Sequence, residues 1–116
     1  MNCIYPKELE FIEMGFGLSS EHNPKEGLFS YVYSYKDGTE LTVSYSIFEN
    51  SSFSAKLIIN GVEVFNIYQE YITKIAFQTW GSEKIIRIYC NKNEFNIEFR
   101  VYYLPQPKVY MATLEA

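Results

Sequence analysis

Residues 72–103, which read ITKIAFQTWGSEKIIRIYCNKNEFNIEFRVYY, decide the fold of this chain. Apolar and polar residues alternate on both sides of Gly81-Ser82, as they do in strands that bury one face. A glycine at the first position of a two-residue turn accepts a positive φ, so this dipeptide predicts a type II′ hairpin. Closing the turn sets Ile75 opposite Ile88 and gathers apolar side chains on one face.

A third strand follows an expected turn at residues 91–93. Pairing Cys90 with Phe95 around that turn keeps the apolar residues on the same face of the sheet. The same register places Arg87 directly opposite Glu98 on the other face, where an ion pair helps to fix the pairing. The stretch therefore predicts the centre of an antiparallel sheet.

Residues 28–36 and 40–50 predict a second hairpin. A three-residue loop at 36–38, with its glycine in the left-handed region, pairs Tyr31 with Val43 and collects the large side chains on one face. A two-residue Asp-Gly turn would set the tyrosines opposite Thr and Glu, so we prefer the longer loop. The small polar residues of the opposite face are expected in solvent: Ser30, Ser34, Thr42, Ser44 and Ser46.

A further hairpin is predicted over residues 53–69, around a type I′ turn at Asn60-Gly61. We expect Leu57 to face Val64 across this turn. Three large residues would then lie on the opposite face: Ile58, Phe65 and Ile67. The hairpin is therefore expected to be apolar on both sides and to be covered by the N-terminal helix or by a second molecule.

The N-terminal quarter, residues 1–27, is predicted to be irregular and acidic. A short helix is expected over residues 7–16, because three apolar residues recur there at helical spacing. That stripe, which excludes Phe11, consists of Leu9, Ile12 and Phe16. The polar residues 18–27 predict a loop.

Two further breaks complete the pattern. Residues 69–71 interrupt the alternation and predict a bulge or corner, and Pro105 and Pro107 end a strand before the last one, at 108–114. The fold class is therefore mainly β. The chain, residues 1–116, is predicted to be a single-domain antiparallel meander of about seven strands, forming a curved sheet or half-barrel with one short N-terminal helix.

The sequence contains few of the residues that enzymes use. His22 is the only histidine and is expected to be exposed in a polar loop, while Asp37, the only aspartate, belongs to a turn. Cys3 and Cys90 are far apart and have no ligand spacing around them. We therefore predict no catalytic residue, no metal site and no cofactor, and a chain that is not an enzyme.

Charge limits the classes of partner. The formal net charge is −4, so a nucleic acid partner is not expected. Residues 1–26 hold five glutamates against two lysines, which places most of that charge in the N-terminal quarter. No apolar run is long enough to span a membrane and no signal peptide is recognised, which predicts a cytoplasmic protein without a membrane partner.

A resemblance rests on the character of the whole chain rather than on a motif. Residues 29–35 read FSYVYSY, residues 85–103 are dense in Asn, Tyr and Ile, and the chain is small, acidic and aromatic-rich. In these respects it resembles bacterial immunity proteins, in particular those paired with contact-dependent growth inhibition toxins. The resemblance implies a non-enzymatic protein that binds one cognate toxin domain and neutralises it.

If the toxin is a basic nuclease, an acidic surface would steer the two proteins together. The residues predicted to bind it are four glutamates and the tyrosines of the 28–36 strand: Glu8, Glu10, Glu13, Glu21, Tyr31, Tyr33 and Tyr35. Two alternatives remain. One is a small β barrel for hydrophobic ligands, resembling the lipocalin or fatty-acid-binding class. The other is a homo-oligomer that pairs through the 53–69 hairpin.

Overall fold

The computed structural model describes residues 3–48, 50–92 and 95–114. A short 3-10 helix, Pro24–Glu26, precedes β2. The other elements, in chain order, are α1 (Glu8–Glu13), β1 (Gly17–Leu18), β2 (Leu28–Ser34), β3 (Glu40–Ser46), β4 (Ser52–Ile59), β5 (Val62–Gln69), β6 (Ile72–Trp80), β7 (Glu83–Lys92), β8 (Phe95–Leu104) and β9 (Lys108–Leu114).

The described strands form two antiparallel sheets, each with its strands in chain order. One contains β1 to β5 and the other β6 to β9. The mainly β class, the antiparallel meander and the single short helix are confirmed, with nine strands rather than about seven, and within the described ranges the sheets do not close into a barrel. The predicted corner divides the meander, because Tyr71 has a φ of 64° there and turns the chain out of the first sheet.

One apolar core lies between the sheets. Tyr31, Leu41 and Val43 contribute to it from the five-stranded sheet, and Ile75 and Ile88 from the four-stranded sheet. All five side chains are almost completely buried. The two inner faces therefore depend on each other for burial.

Three of the predicted turns are confirmed. Asn60 and Gly61 have φ values of 51° and 75°, as a type I′ turn requires, and Gly81 has a φ of 63° at the head of the β6–β7 hairpin. The preferred loop at 36–38 is also confirmed, because β2 and β3 pair Tyr31 with Val43.

The predicted register between β7 and β8 was wrong by two residues. Cys90 pairs with Ile97 rather than with Phe95, and Arg87 lies opposite Arg100. The strands stay paired through Asn91–Asn96 to Lys92–Phe95, so Asn91 and Lys92 belong to β7 and not to a turn. Asn93 of the predicted turn lies outside the described residues. Since a shift of two residues keeps every side chain on its face, the predicted core face was still right.

A β-bulge changes the strand pairing that was predicted for the 53–69 hairpin. The register shifts between Leu57 and Ile58, so that Leu57 pairs with Phe65 and not with Val64. The shift turns Phe65 and Ile67 towards the core, where both are partly buried. The predicted assignment of Phe65 and Ile67 to the face opposite Leu57 was therefore wrong. Apolar side chains still lie on both sides of the hairpin, because Val62 and Val64 are exposed.

The N-terminal helix also uses a different face from the one predicted. Phe11 is buried at 1% exposure, whereas Leu9 is 65% exposed. The helix ends at Glu13, too early for the spacing of Leu9, Ile12 and Phe16 to form one stripe. Phe16 reaches the core from the segment that follows the helix.

The polar face of β2 and β3 was expected in solvent, but part of it is covered. Ser30 is completely buried and its hydroxyl lies 2.7 Å from that of Ser44. The segment that the sequence predicted as a loop includes β1, which pairs with β2, and His22, whose ring contacts the backbone of Ser30.

Ile88 tests the position of the core. It is completely buried on β7 between Ile75 and Phe99, its partners on the neighbouring strands. Ile88→Ala should lower the free energy of unfolding by about 2–5 kcal/mol, because the burial is lost and a cavity remains. Urea unfolding measures this; a loss below about 1 kcal/mol would contradict the central position of this residue.

Gly61 tests the turn. A Cβ added there meets no atom within 4 Å, so the effect of a substitution comes from its positive φ rather than from a clash. Gly61→Ala should cost about 1–2 kcal/mol of stability. Gly17→Ala is the matched control, since a Cβ there also meets nothing and no positive φ is involved. Equal stability of the two variants in urea would contradict the I′ assignment.

Candidate protein-binding surfaces

The four predicted glutamates are all exposed, but two of them also stabilise the local fold. Glu10 Oε1 accepts a hydrogen bond from the backbone N–H of Lys7 at 3.1 Å and caps the helix N-terminus. Glu8 Oε1 lies 2.9 Å from His22 Nε2. Glu13 and Glu21 have no such role within the described residues, which makes them the better residues for testing an acidic interface.

His22 is not the exposed loop residue that the sequence predicted. Its side chain is only 7% exposed. The backbone N–H of Ser30 donates to Nδ1 at 3.0 Å, which makes Nε2 the protonated nitrogen of a neutral ring and the donor to Glu8. His22 therefore connects the loop, β2 and α1. The sequence missed this role because its partners are distant along the chain.

The three predicted tyrosines lie on the inner side of their sheet. Tyr31 is completely buried and stacks on Phe11, with ring centroids 3.9 Å apart. Tyr33 and Tyr35 are half-buried, and the Tyr35 hydroxyl donates to the Tyr103 carbonyl at 2.6 Å. Burial raises the pKa of Tyr35 and Tyr31. In this arrangement only Tyr33 and Tyr35 are accessible to a partner.

Those two tyrosines line a cleft of about 750 Å³ at one end of the two sheets. The turn after β2, the ends of β4 and β8 and residues 105–107 form its walls. Leu57 and Leu104 supply an apolar part of the lining, and Lys36 and Asp37 a charged part. The cleft is the place where the tyrosine hairpin could contact a partner.

The outer face of the four-stranded sheet is a surface that the sequence did not predict. We call it the cationic tyrosine face. Its outward-facing side chains include Lys74, Gln78, Trp80, Glu83, Ile85, Arg87, Tyr89, Glu98, Arg100, Tyr102, Lys108 and Tyr110, of which Ile85 is fully buried by its neighbours. Four are cationic and two are carboxylates, a formal balance of +2 on a chain whose net charge is −4.

A carboxylate lies at the centre of this face. Glu98 is 3% exposed and accepts two hydrogen bonds from Arg87, at 3.0 and 2.8 Å, and one from Arg100 at 2.6 Å. Arg87 also donates to Gln78 at 2.9 Å. Burial raises the pKa of Glu98, but the hydrogen bonds and charges of the two arginines outweigh it, and the pKa is lowered overall.

Tyrosine rings lie beside most of the cations. Lys108 Nζ is 4.3 Å from the centroid of Tyr102, and the guanidinium carbon of Arg100 is 5.4 Å from that of Tyr110. On β7 the guanidinium of Arg87 is 5.3 Å from the ring of Tyr89. These cation–π contacts fix the orientation of the charged groups.

The sequence held part of the signal for this face. It predicted contact between Arg87 and Glu98, which the structure shows as a diagonal pair rather than a directly opposite one. The predicted register kept Arg100 away from Arg87, so the cluster of cations was not recognised. The negative net charge of the whole chain also concealed the local excess of positive charge on this face.

Neither a metal-binding group nor a membrane-spanning helix is found among the described residues. No group of three or more His, Cys, Asp and Glu side chains is arranged to hold a metal ion there. Among the same residues, no helix has the length and apolar character needed to cross a membrane.

Comparisons with known proteins identify the fold. No family model matches the sequence, and no curated protein matches it. A chain in the solved structure of a contact-dependent growth inhibition toxin–immunity protein complex from Klebsiella pneumoniae 342 has the same fold, with a TM-score of 0.82. The alignment covers 97% of each chain at 13% sequence identity. The resemblance suggested by the sequence is therefore confirmed at the level of the fold.

Glu98 tests the network on the cationic tyrosine face. Glu98→Gln should lower the free energy of unfolding by about 1–3 kcal/mol near neutral pH, because two arginines lose a charged acceptor. A lowered carboxyl pKa stabilises the fold above the ordinary value of 4.5, and this stabilisation is lost as the pH falls through the lower folded value.

In urea unfolding, the stability difference between wild type and Glu98→Gln should therefore stay constant well above pH 4.5 and shrink as the pH falls below that value. Glu63→Gln, at an exposed position on β5, is the matched control. A difference that is independent of pH would show that Glu98 is not held as an ionised carboxylate.

Proposed function

We propose that this protein is a non-enzymatic immunity protein that binds and neutralises a toxin domain of a contact-dependent growth inhibition system. The observation that carries the proposal is the fold match over 97% of the chain to a member of a toxin–immunity protein complex. Of the two partners in such a complex, the acidic, aromatic-rich sequence resembles the immunity protein.

The same observations weaken the alternative of a small ligand-binding barrel. The described strands form two sheets that remain separate at the corner near Tyr71. Aromatic side chains such as Phe11, Tyr31 and Phe53 fill the space between the sheets. A lipocalin-like interior would have to accommodate a ligand in that space.

We further propose that the toxin is basic and acts on nucleic acid in the cytoplasm, where the immunity protein would meet it. The support is the acidic N-terminal segment, whose four predicted glutamates are exposed. An acidic surface of this kind accelerates association with a basic partner. Because Glu8 and Glu10 also stabilise the local fold, the acidic surface is tested by substitutions at Glu13 and Glu21.

Co-expression tests the function. A toxin encoded next to the gene for this chain is the candidate partner. Induced alone it should stop growth, and co-expression with this protein should restore growth and yield a complex in size-exclusion chromatography. Toxicity that persists, with no complex formed, would overturn the proposal. The cleft variant Tyr35→Ala, at a half-buried position, serves as a second comparison for locating the interface.

The acidic surface makes its own prediction. Glu13→Lys combined with Glu21→Lys should slow association with the toxin by about tenfold at low salt and reduce the salt dependence of the rate. Glu13→Lys alone and Glu63→Lys form a matched pair, because both replace one exposed glutamate. Stopped-flow binding measures the rates. Equal rates for all variants and wild type would place the interface away from the N-terminal segment.

A further inference from the structure

The cationic tyrosine face has the charge opposite to that of the whole molecule. Lys74 and Lys108 are exposed at its two sides, on β6 and β9, and the two arginines lie between them on β7 and β8. Two carboxylates lie among these cations: Glu83 Oε2 is 3.4 Å from Lys108 Nζ, and Glu98 is paired with both arginines. The face keeps a formal excess of two positive charges on an acidic chain. A partner that recognised this face would carry negative charge.

The arginines at the centre are held in place before any partner arrives. A guanidinium has five N–H donors. The bonds to Glu98 and Gln78 use three of those of Arg87, and the bond to Glu98 uses one of those of Arg100. Both side chains keep about a quarter of their surface exposed, at 26% and 27%. Glu98 therefore balances one of the two charges, and both guanidinium side chains stay partly accessible.

Fixing these groups in advance lowers the entropy lost on binding. A flexible arginine must be ordered when it meets a carboxylate, whereas Arg87 and Arg100 are already ordered by a buried acceptor. Tyrosine and arginine are also the residues most often found where binding energy is concentrated at protein interfaces. Tyr110, 51% exposed on β9, is placed to act as such an anchor.

We propose that the cationic tyrosine face docks an extended, carboxylate-rich segment of a partner protein. Four strands at a spacing of about 4.8 Å make the face roughly 15 Å wide, which an extended segment of about five residues crosses. Carboxylates spaced along that segment pair with Lys74 and the two arginines, and compete with Glu83 for Lys108. This proposal does not depend on the toxin.

A nucleic acid strand fits the face less well. Proteins that bind single strands stack bases on open aromatic rings. Here the rings of Tyr89, Tyr102 and Tyr110 already lie against cations.

The experiment uses a fluorescein-labelled peptide of ten glutamates as the probe, with a ten-glutamine peptide and a dT oligonucleotide of similar charge for comparison. We expect the glutamate peptide to bind the wild type, more weakly at high salt, and to move the NMR signals of β6 to β9. Lys74→Glu/Lys108→Glu should weaken binding at least about tenfold, and Lys74→Gln/Lys108→Gln should weaken it less.

Lys25→Glu/Lys36→Glu is the matched control, because it makes the same change in net charge at two exposed positions outside this face. It should change the affinity by less than about twofold, which separates local recognition from overall charge. Equal losses in the two reversed variants, equal binding of the glutamine peptide, or tighter binding of the oligonucleotide with the same dependence on Lys74 and Lys108 would each overturn the proposal.

Discussion

Phe11 joins the two sheets. Its ring stacks on Tyr31 of β2 at 3.9 Å and meets Phe77 of β6 edge-on at 4.8 Å. Phe16 adds contacts with Tyr33 and Tyr103, again one residue from each sheet. The N-terminal segment therefore supplies aromatic side chains that bridge the two sheets, which share no strand among the described residues. Helix α1, only six residues long, is held by this burial rather than by its own propensity.

The features that the sequence predicted correctly depend on residues that are close together along the chain. The turn at Asn60-Gly61 and the loop at 36–38 are set by backbone preferences of a few residues, whereas the corner at 69–71 is marked by a break in the alternation. The structure shows all three. Alternation likewise identified the core face of β6 and β7, because period two survives any even shift of register.

What the sequence missed depends on distant contacts. The bulge at Leu57 has no local signal, since Phe65 and Ile67 turn inward only because a core is there to receive them. The burial of His22 likewise requires α1 and β2 to be in place. For the predicted interface, the structure shows that Glu13 and Glu21 lie at the surface. The toxin-binding residues stay a prediction.

The corner between β5 and β6 divides the chain so that each sheet is formed by one continuous stretch of sequence. The first sheet uses residues 17–69 and the second uses residues 72–114. During synthesis, the five-stranded sheet can therefore pair all of its strands while the second half is still in the ribosome. Until β6 to β9 emerge, its inner face, with Leu41, Val43 and Phe53, has no covering layer. Chaperones would recognise this exposed apolar face on the newly made first sheet. The second sheet covers the face once it has been translated.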